Sequence, residues 1–108
     1  MEDIEEKFDK LYYEDLGMCG CGHVEDLQQF LVDLMIIQNG YKAGDFSYDE
    51  KAKSVKLLIQ DNHEYAFEFI LHVLNNAEFL EHGTSVGGSW LTDKGKSFIK
   101  LYEQVQNL

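Results

Sequence analysis

Cys19-Gly-Cys21 followed by His23 is the densest group of chemistry-bearing side chains in this 108-residue chain. Two thiols and an imidazole fall within five residues, and Gly20 and Gly22 loosen the backbone enough to wrap them round one ion. Zinc takes such sulfur and nitrogen ligands in a closed tetrahedron. The cluster supplies at most three, so a fourth must come from elsewhere. His82, beside a Gly-rich turn, is the first candidate and His63 the second. The expectation is no cofactor, with zinc on Cys19, Cys21, His23 and His82 as the alternative. The spacing differs from the usual zinc pattern, which is Cys-x2-Cys with a second pair of ligands. The plainer reading is a Gly-rich turn between two helices, with two small, partly buried thiols. A third reading is a redox pair. A disulfide between residues two apart closes a tight, strained ring that is easily reduced, but no cationic neighbour favours the thiolate.

Other titratable groups carry weaker patterns. Glu68 and His72 stand four apart on one expected helix face, with Glu64 a turn earlier. A carboxylate beside an imidazole suits acid–base chemistry, and equally suits a solvated helix face. Glu81-His82 reads mainly as part of a hairpin, and Trp90 as a core anchor. Gly83-Thr-Ser-Val-Gly-Gly88 is Gly-rich, yet Lys94 comes too late for a phosphate-binding loop. No nucleophile–base arrangement stands out, so the expected chain is not an enzyme.

Charge narrows the partners. There are 20 acidic residues against 9 basic, a formal charge of −11, and every basic residue is Lys. Nucleic-acid binding draws much of its affinity from cations on phosphates, and Arg is the preferred fork for phosphate and guanine. A chain this acidic suits a basic protein partner or metal cations better. Most of the excess lies between Glu2 and Asp33. The locally basic stretch, Lys42 to Lys56, is too slight for a nucleic-acid footprint. Two cysteines make no disulfide framework. The acidic start, MEDIEEKFDK, is unlike a signal peptide, and no apolar run approaches the roughly 20 residues of a membrane helix. The expected location is cytoplasmic.

The elements that position these groups follow from periodicity. Ile4, Phe8, Leu11, Tyr12, Asp15 and Leu16 predict a short amphipathic helix over 3–16, ended by Gly17–Gly22. Leu27, Phe30, Leu31, Leu34, Met35 and Gln38 predict a second over 24–39, with Glu25 and Asp26 at its anion-favouring start and Gly40 as its stop. Ser47-Tyr-Asp-Glu50 reads as a capping box opening a helix over 48–60, and Asp61-Asn-His-Glu64 as another opening 62–77. In that last helix Ala66, Phe67, Ile70, Val73, Leu74 and Ala77 form the inward face, extended by Phe69 and Leu71. Glu64, Glu68, His72, Asn75 and Asn76 face outward. Phe79–His82 and Trp90–Thr92 flank a Gly-rich turn and predict a β-hairpin. Thr92 can cap a final helix whose stripe is Phe98, Leu101, Tyr102 and Val105. The fold class is mainly α with a short hairpin, as one domain.

The run Asn76-Ala-Glu-Phe-Leu-Glu-His-Gly83, then Trp90-Leu-Thr-Asp-Lys-Gly95, resembles the end of a winged helix-turn-helix domain. There the recognition helix leads into a strand, a wing and a returning strand closed by Leu-Thr-x-Lys-Gly. The resemblance covers about residues 48–106, leaving 1–40 for the N-terminal helices and the Cys-Gly-Cys-Gly turn. It implies a winged-helix-like fold. The chain departs from the family where DNA would be touched. Asp61, Glu64 and Glu68 stand on the recognition helix, and the wing, Gly83–Ser89, has no basic residue. Cys19-Gly-Cys-Gly22 together with Glu81-His-Gly83 and Trp90-Leu-Thr92 is similar to a set of small uncharacterised bacteriophage and prophage proteins, which implies an origin and not an activity.

The expected function is a non-enzymatic protein-interaction or regulatory module, such as a phage accessory factor, with a basic protein partner and no membrane. A homodimer is compatible with the sequence. The alternatives are a DNA-binding winged-helix regulator using Lys51, Lys53 and Lys56, and a small zinc-binding or thiol-redox protein built on Cys19 and Cys21.

Overall fold

The computed structural model describes residues 3–43 and 64–108. Helix α1 (Ile4–Asp9) starts at Asp3, whose carboxylate accepts from the Glu5 amide at 3.2 Å. The chain then widens into a π-helical turn over Lys10–Asp15. That extra residue per turn shifts the stripe. Tyr12 is fully buried and Leu16 half-buried, while Asp15 leaves the apolar face and pairs with Lys94 at 3.3 Å. Helix α2 (Val24–Ala43) runs through Gly40 rather than stopping there. A glycine inside a helix costs only about 1 kcal/mol relative to alanine, too little to end one already held by packing. The expected helix over 48–60, both capping boxes, His63, and Lys51, Lys53 and Lys56 lie outside the described residues.

Helix α3 (Glu64–Asn76) leads through Glu78, at φ 67°, into a two-stranded antiparallel hairpin. The strands are β1 (Leu80–Glu81) and β2 (Trp90–Leu91). Leu80 pairs with Leu91 and Glu81 with Trp90. Successive residues of a strand face opposite sides, so one pair is buried and the other turned outward. Trp90 is therefore not the core anchor; it sits half-buried, its indole N–H donating to the Glu81 carboxylate at 2.8 Å. Val86, in a 3-10 turn over Val86–Gly88, is the residue that plugs the connection into the core. Gln38 of α2 donates to the Gly87 carbonyl at 3.1 Å and pins that turn.

Helix α4 (Asp93–Gln106) is capped as expected, the Thr92 hydroxyl accepting from the Gly95 amide at 3.1 Å. One cluster of buried side chains joins α1, α2, α3, the hairpin and α4. Its aromatic centre is Phe98, with ring centroids 4.9 Å from Phe8 and 5.2 Å from Phe79. Among the described residues no helix is long and apolar enough to cross a membrane.

Among the described residues, one buried group in this core is unsatisfied: the Tyr12 hydroxyl finds no hydrogen-bond partner there, whereas that of Tyr102 donates to Gln29 at 2.8 Å. An orphaned buried polar group costs about 1–3 kcal/mol. Tyr12→Phe should therefore raise stability by about 1 kcal/mol in urea unfolding. Burial, and then the neighbouring Tyr13, push the Tyr12 phenol above its ordinary value. A raised phenol pKa contributes stability that is complete below the unfolded value of about 10 and is lost as pH rises through the folded one. The variant should accordingly also resist alkaline unfolding better.

Candidate functional site

The Cys-Gly-Cys-Gly loop links the π-helical turn to α2. Gly17 and Gly22 hold φ of 76° and 78°, a left-handed conformation that glycine adopts without penalty. They turn the chain so that His23 immediately precedes α2, its carbonyl accepting from the Leu27 amide at 3.0 Å. Cys19, Cys21 and His23 are all exposed, so the thiols are not tucked into the turn. The two cysteines are joined to each other as a disulfide, and the Cys21 amide approaches the Cys19 Sγ at 3.3 Å. Both sulfurs are thus used, and they become metal ligands only after two-electron reduction.

His82, the fourth residue expected at that centre, lies at the hairpin. Its Nδ1 is 2.8 Å from the Asn75 Oδ1. Asn75 in turn donates to the Leu71 carbonyl at 2.8 Å and to the buried Ser89 hydroxyl at 3.0 Å. Ser89 completes the chain by donating to the Val86 carbonyl at 2.6 Å. Asn75, expected to face outward, is therefore a tie between α3 and the hairpin. Among the described residues no three of His, Cys, Asp and Glu form a group that could hold a metal ion.

An open cleft beside the hairpin holds Glu81, His82, Asp93 and Lys94. Its polar side chains serve the fold. Lys94 donates to the Ala77 carbonyl at 3.0 Å, pairs with Asp15 and lies 5.1 Å above the Phe79 ring. Glu81 accepts from Trp90 and His82 contacts Asn75. Glu68 and His72 are exposed on α3.

A different feature lies at the edge of the core. The N-terminal half of α2, the middle of α3 and the start of the Cys loop enclose a groove lined wholly by apolar side chains. Leu16 and Met18 contribute from the start of the Cys loop. Leu27 and Phe30 come from α2, and Phe69 and Val73 from α3. The groove measures about 200 Å³. Phe69 is 69% exposed and Leu27 39%. Phe69 thus departs from the buried face expected of it, and Tyr65, one turn earlier, is 79% exposed. The apolar arc of α3 is wider than the core it covers: Leu71 and Leu74 are fully buried and Phe67, Ile70 and Val73 half-buried, which leaves Phe69 beyond the core's edge. That width was the available sequence signal for a groove.

Acidic side chains surround the groove in sequence and are exposed. Glu14 and Asp15 precede Leu16, Glu25 and Asp26 precede Leu27, and Glu68 precedes Phe69. An apolar groove in a strongly acidic chain can seat an apolar side chain and attract a cationic carrier. It carries no nucleophile, base or ligand set. Comparison with protein-family models, with curated proteins and with solved structures finds no match to this chain.

Proposed function

We propose that this chain is a non-enzymatic protein-interaction module on a winged-helix-like scaffold, whose partner is a basic protein. The observation that carries this reading is the outward face of α3. In a winged-helix arrangement that helix precedes the hairpin and would meet DNA. Here it exposes Tyr65, Glu68, Phe69 and His72 and no lysine. Exposed aromatics flanked by carboxylates suit a protein surface, and phosphate contacts need cations. The hairpin connection Gly83–Ser89 likewise offers no positive charge. The expected role is accessory or regulatory, in keeping with the resemblance to small phage and prophage proteins.

The test sets the two partner classes side by side at low salt. The chain should retain a Lys-rich peptide, with binding that weakens steeply as salt screens it, and should leave mixed-sequence duplex DNA unshifted. A gel shift of the duplex without peptide binding would overturn the reading.

A further inference from the structure

We propose that the groove between α2 and α3 seats the apolar face of a basic amphipathic helix from another protein, with Phe69 and Leu27 as its principal contacts. The inference rests on the interaction reading and assigns it a site and a ligand chemistry.

Size excludes a cofactor first. Small-molecule sites usually run from about 300 to 1,000 Å³ and carry a few placed polar groups. This groove is about 200 Å³ and its walls are apolar throughout. It has room for one or two side chains and nothing to orient a polar ligand. Shape then favours a helix. The groove is lined from two helices, α2 and α3, and amphipathic helices bind apolar grooves through apolar residues spaced one turn apart. On α3 the exposed aromatics Tyr65 and Phe69 are themselves one turn apart.

Charge selects among the possible occupants. Exposed Glu14, Glu25, Asp26 and Glu68 stand within two residues of lining positions in the chain, and the whole chain is −11. A second copy would bring another −11 against the first, and an anionic lipid surface would meet the same repulsion. A helix with Lys or Arg on its polar face gains where those occupants lose, through faster encounter and a fixed register.

The experiment uses the full chain and a fluorescent synthetic peptide about 18 residues long, five helical turns, made of Leu and Lys with Leu on one face. Its control has the same composition, scrambled so that no apolar face forms. Anisotropy titrations compare the chain with Phe69→Gln, Leu27→Gln and, as an exposed control outside the groove lining, Leu108→Gln. The amphipathic peptide should bind about tenfold tighter than the scrambled one or better, the scale of a single hot-spot contact. Phe69→Gln and Leu27→Gln should erase that advantage, and Leu108→Gln should keep it. Equal binding of both peptides would overturn the groove as the site while leaving charge-driven interaction intact. No binding of either would overturn the interaction reading as well. Two further outcomes also overturn the proposal. A fall of several degrees in the Tm of free Phe69→Gln would mean the phenyl ring is already covered within the chain. A dimer seen by native mass spectrometry and abolished by Phe69→Gln would make the occupant a second copy.

Discussion

Gly95→Ala should destabilise the protein by about 3 kcal/mol, at the upper end of overpacking costs, and lower Tm by on the order of 15 °C. Gly95 is buried in the first turn of α4, where the helix passes directly over the chain leaving α3. A Cβ at this position would overlap the Phe79 carbonyl oxygen and come within 2.8 Å of Leu91 Cδ2. The nearest obstacle is backbone, which cannot swing aside as a side-chain tip can. That carbonyl also accepts the Thr92 amide at 3.2 Å, so relieving the clash would disturb the turn into α4. The sign makes the test sharp. In an unobstructed helix, glycine to alanine stabilises by about 1 kcal/mol. Ser97→Ala, on the exposed side of the same helix, is the unobstructed control for added helix propensity and should gain about 0.5 kcal/mol. A rise in Tm for Gly95→Ala would mean that α4 does not rest on Phe79.

Phe98→Ala should cost about 3–5 kcal/mol, the range for a fully buried aromatic, and leave the chain largely unfolded at physiological temperature. Phe98 has no exposed surface. It touches Phe8 of α1 on one side and Phe79 at the hairpin on the other. Removing it opens a cavity where three elements meet, and two of them are tethered elsewhere: α4 through Lys94 to Asp15, and the hairpin connection through Gly87 to Gln38 and Ser89 to Asn75. Collapse around the void is therefore limited, which puts the loss in the upper part of that range. Phe98→Leu keeps most of the volume and should cost about 1 kcal/mol. Urea unfolding of the two variants separates cavity formation from loss of the ring contacts. Equal losses would point to the ring contacts, and a negligible loss in both would contradict the account of the core.

The sequence announces the start of the last helix clearly because local chemistry and tertiary role agree there. Thr92 is a good N-cap and is used as one, and Leu91-Thr92-Asp93-Lys94-Gly95 has a steric reason for its last residue. Elsewhere, helical periodicity misleads where the helix changes type or the core has an edge. The π-helical turn over Lys10–Asp15 moves Asp15 off the apolar stripe, which a constant 3.6-residue period cannot foresee. Trp90 looked like an anchor by size, but the pairing of Leu80 with Leu91 decides which side of the hairpin is buried. Phe69 looked internal by type, and α3 simply has more apolar arc than the core covers.

The candidate site was legible only in fragments for a related reason. Leu27, Phe30 and Val73 each read as core positions, and nothing in their spacing shows that two helices leave a trough between them. The Cys-Gly-Cys loop was visible at once as chemistry. Its contribution of Met18 to the groove lining appears only in three dimensions. His82 shows the converse. It stood out as a possible ligand, and it is a hydrogen-bonded neighbour of Asn75 at the hairpin.

The most direct test of the interaction account is the footprint of the amphipathic Leu/Lys peptide on the chain, read as backbone amide chemical-shift changes. The account predicts changes confined to the first two turns of α2, to α3 around Phe69–Leu74 and to the loop at Met18. Gly83–Ser89 and the Lys96–Lys100 side of α4 should be silent. A footprint centred on the hairpin connection or on α4 would contradict it and move the binding surface to the opposite part of the fold.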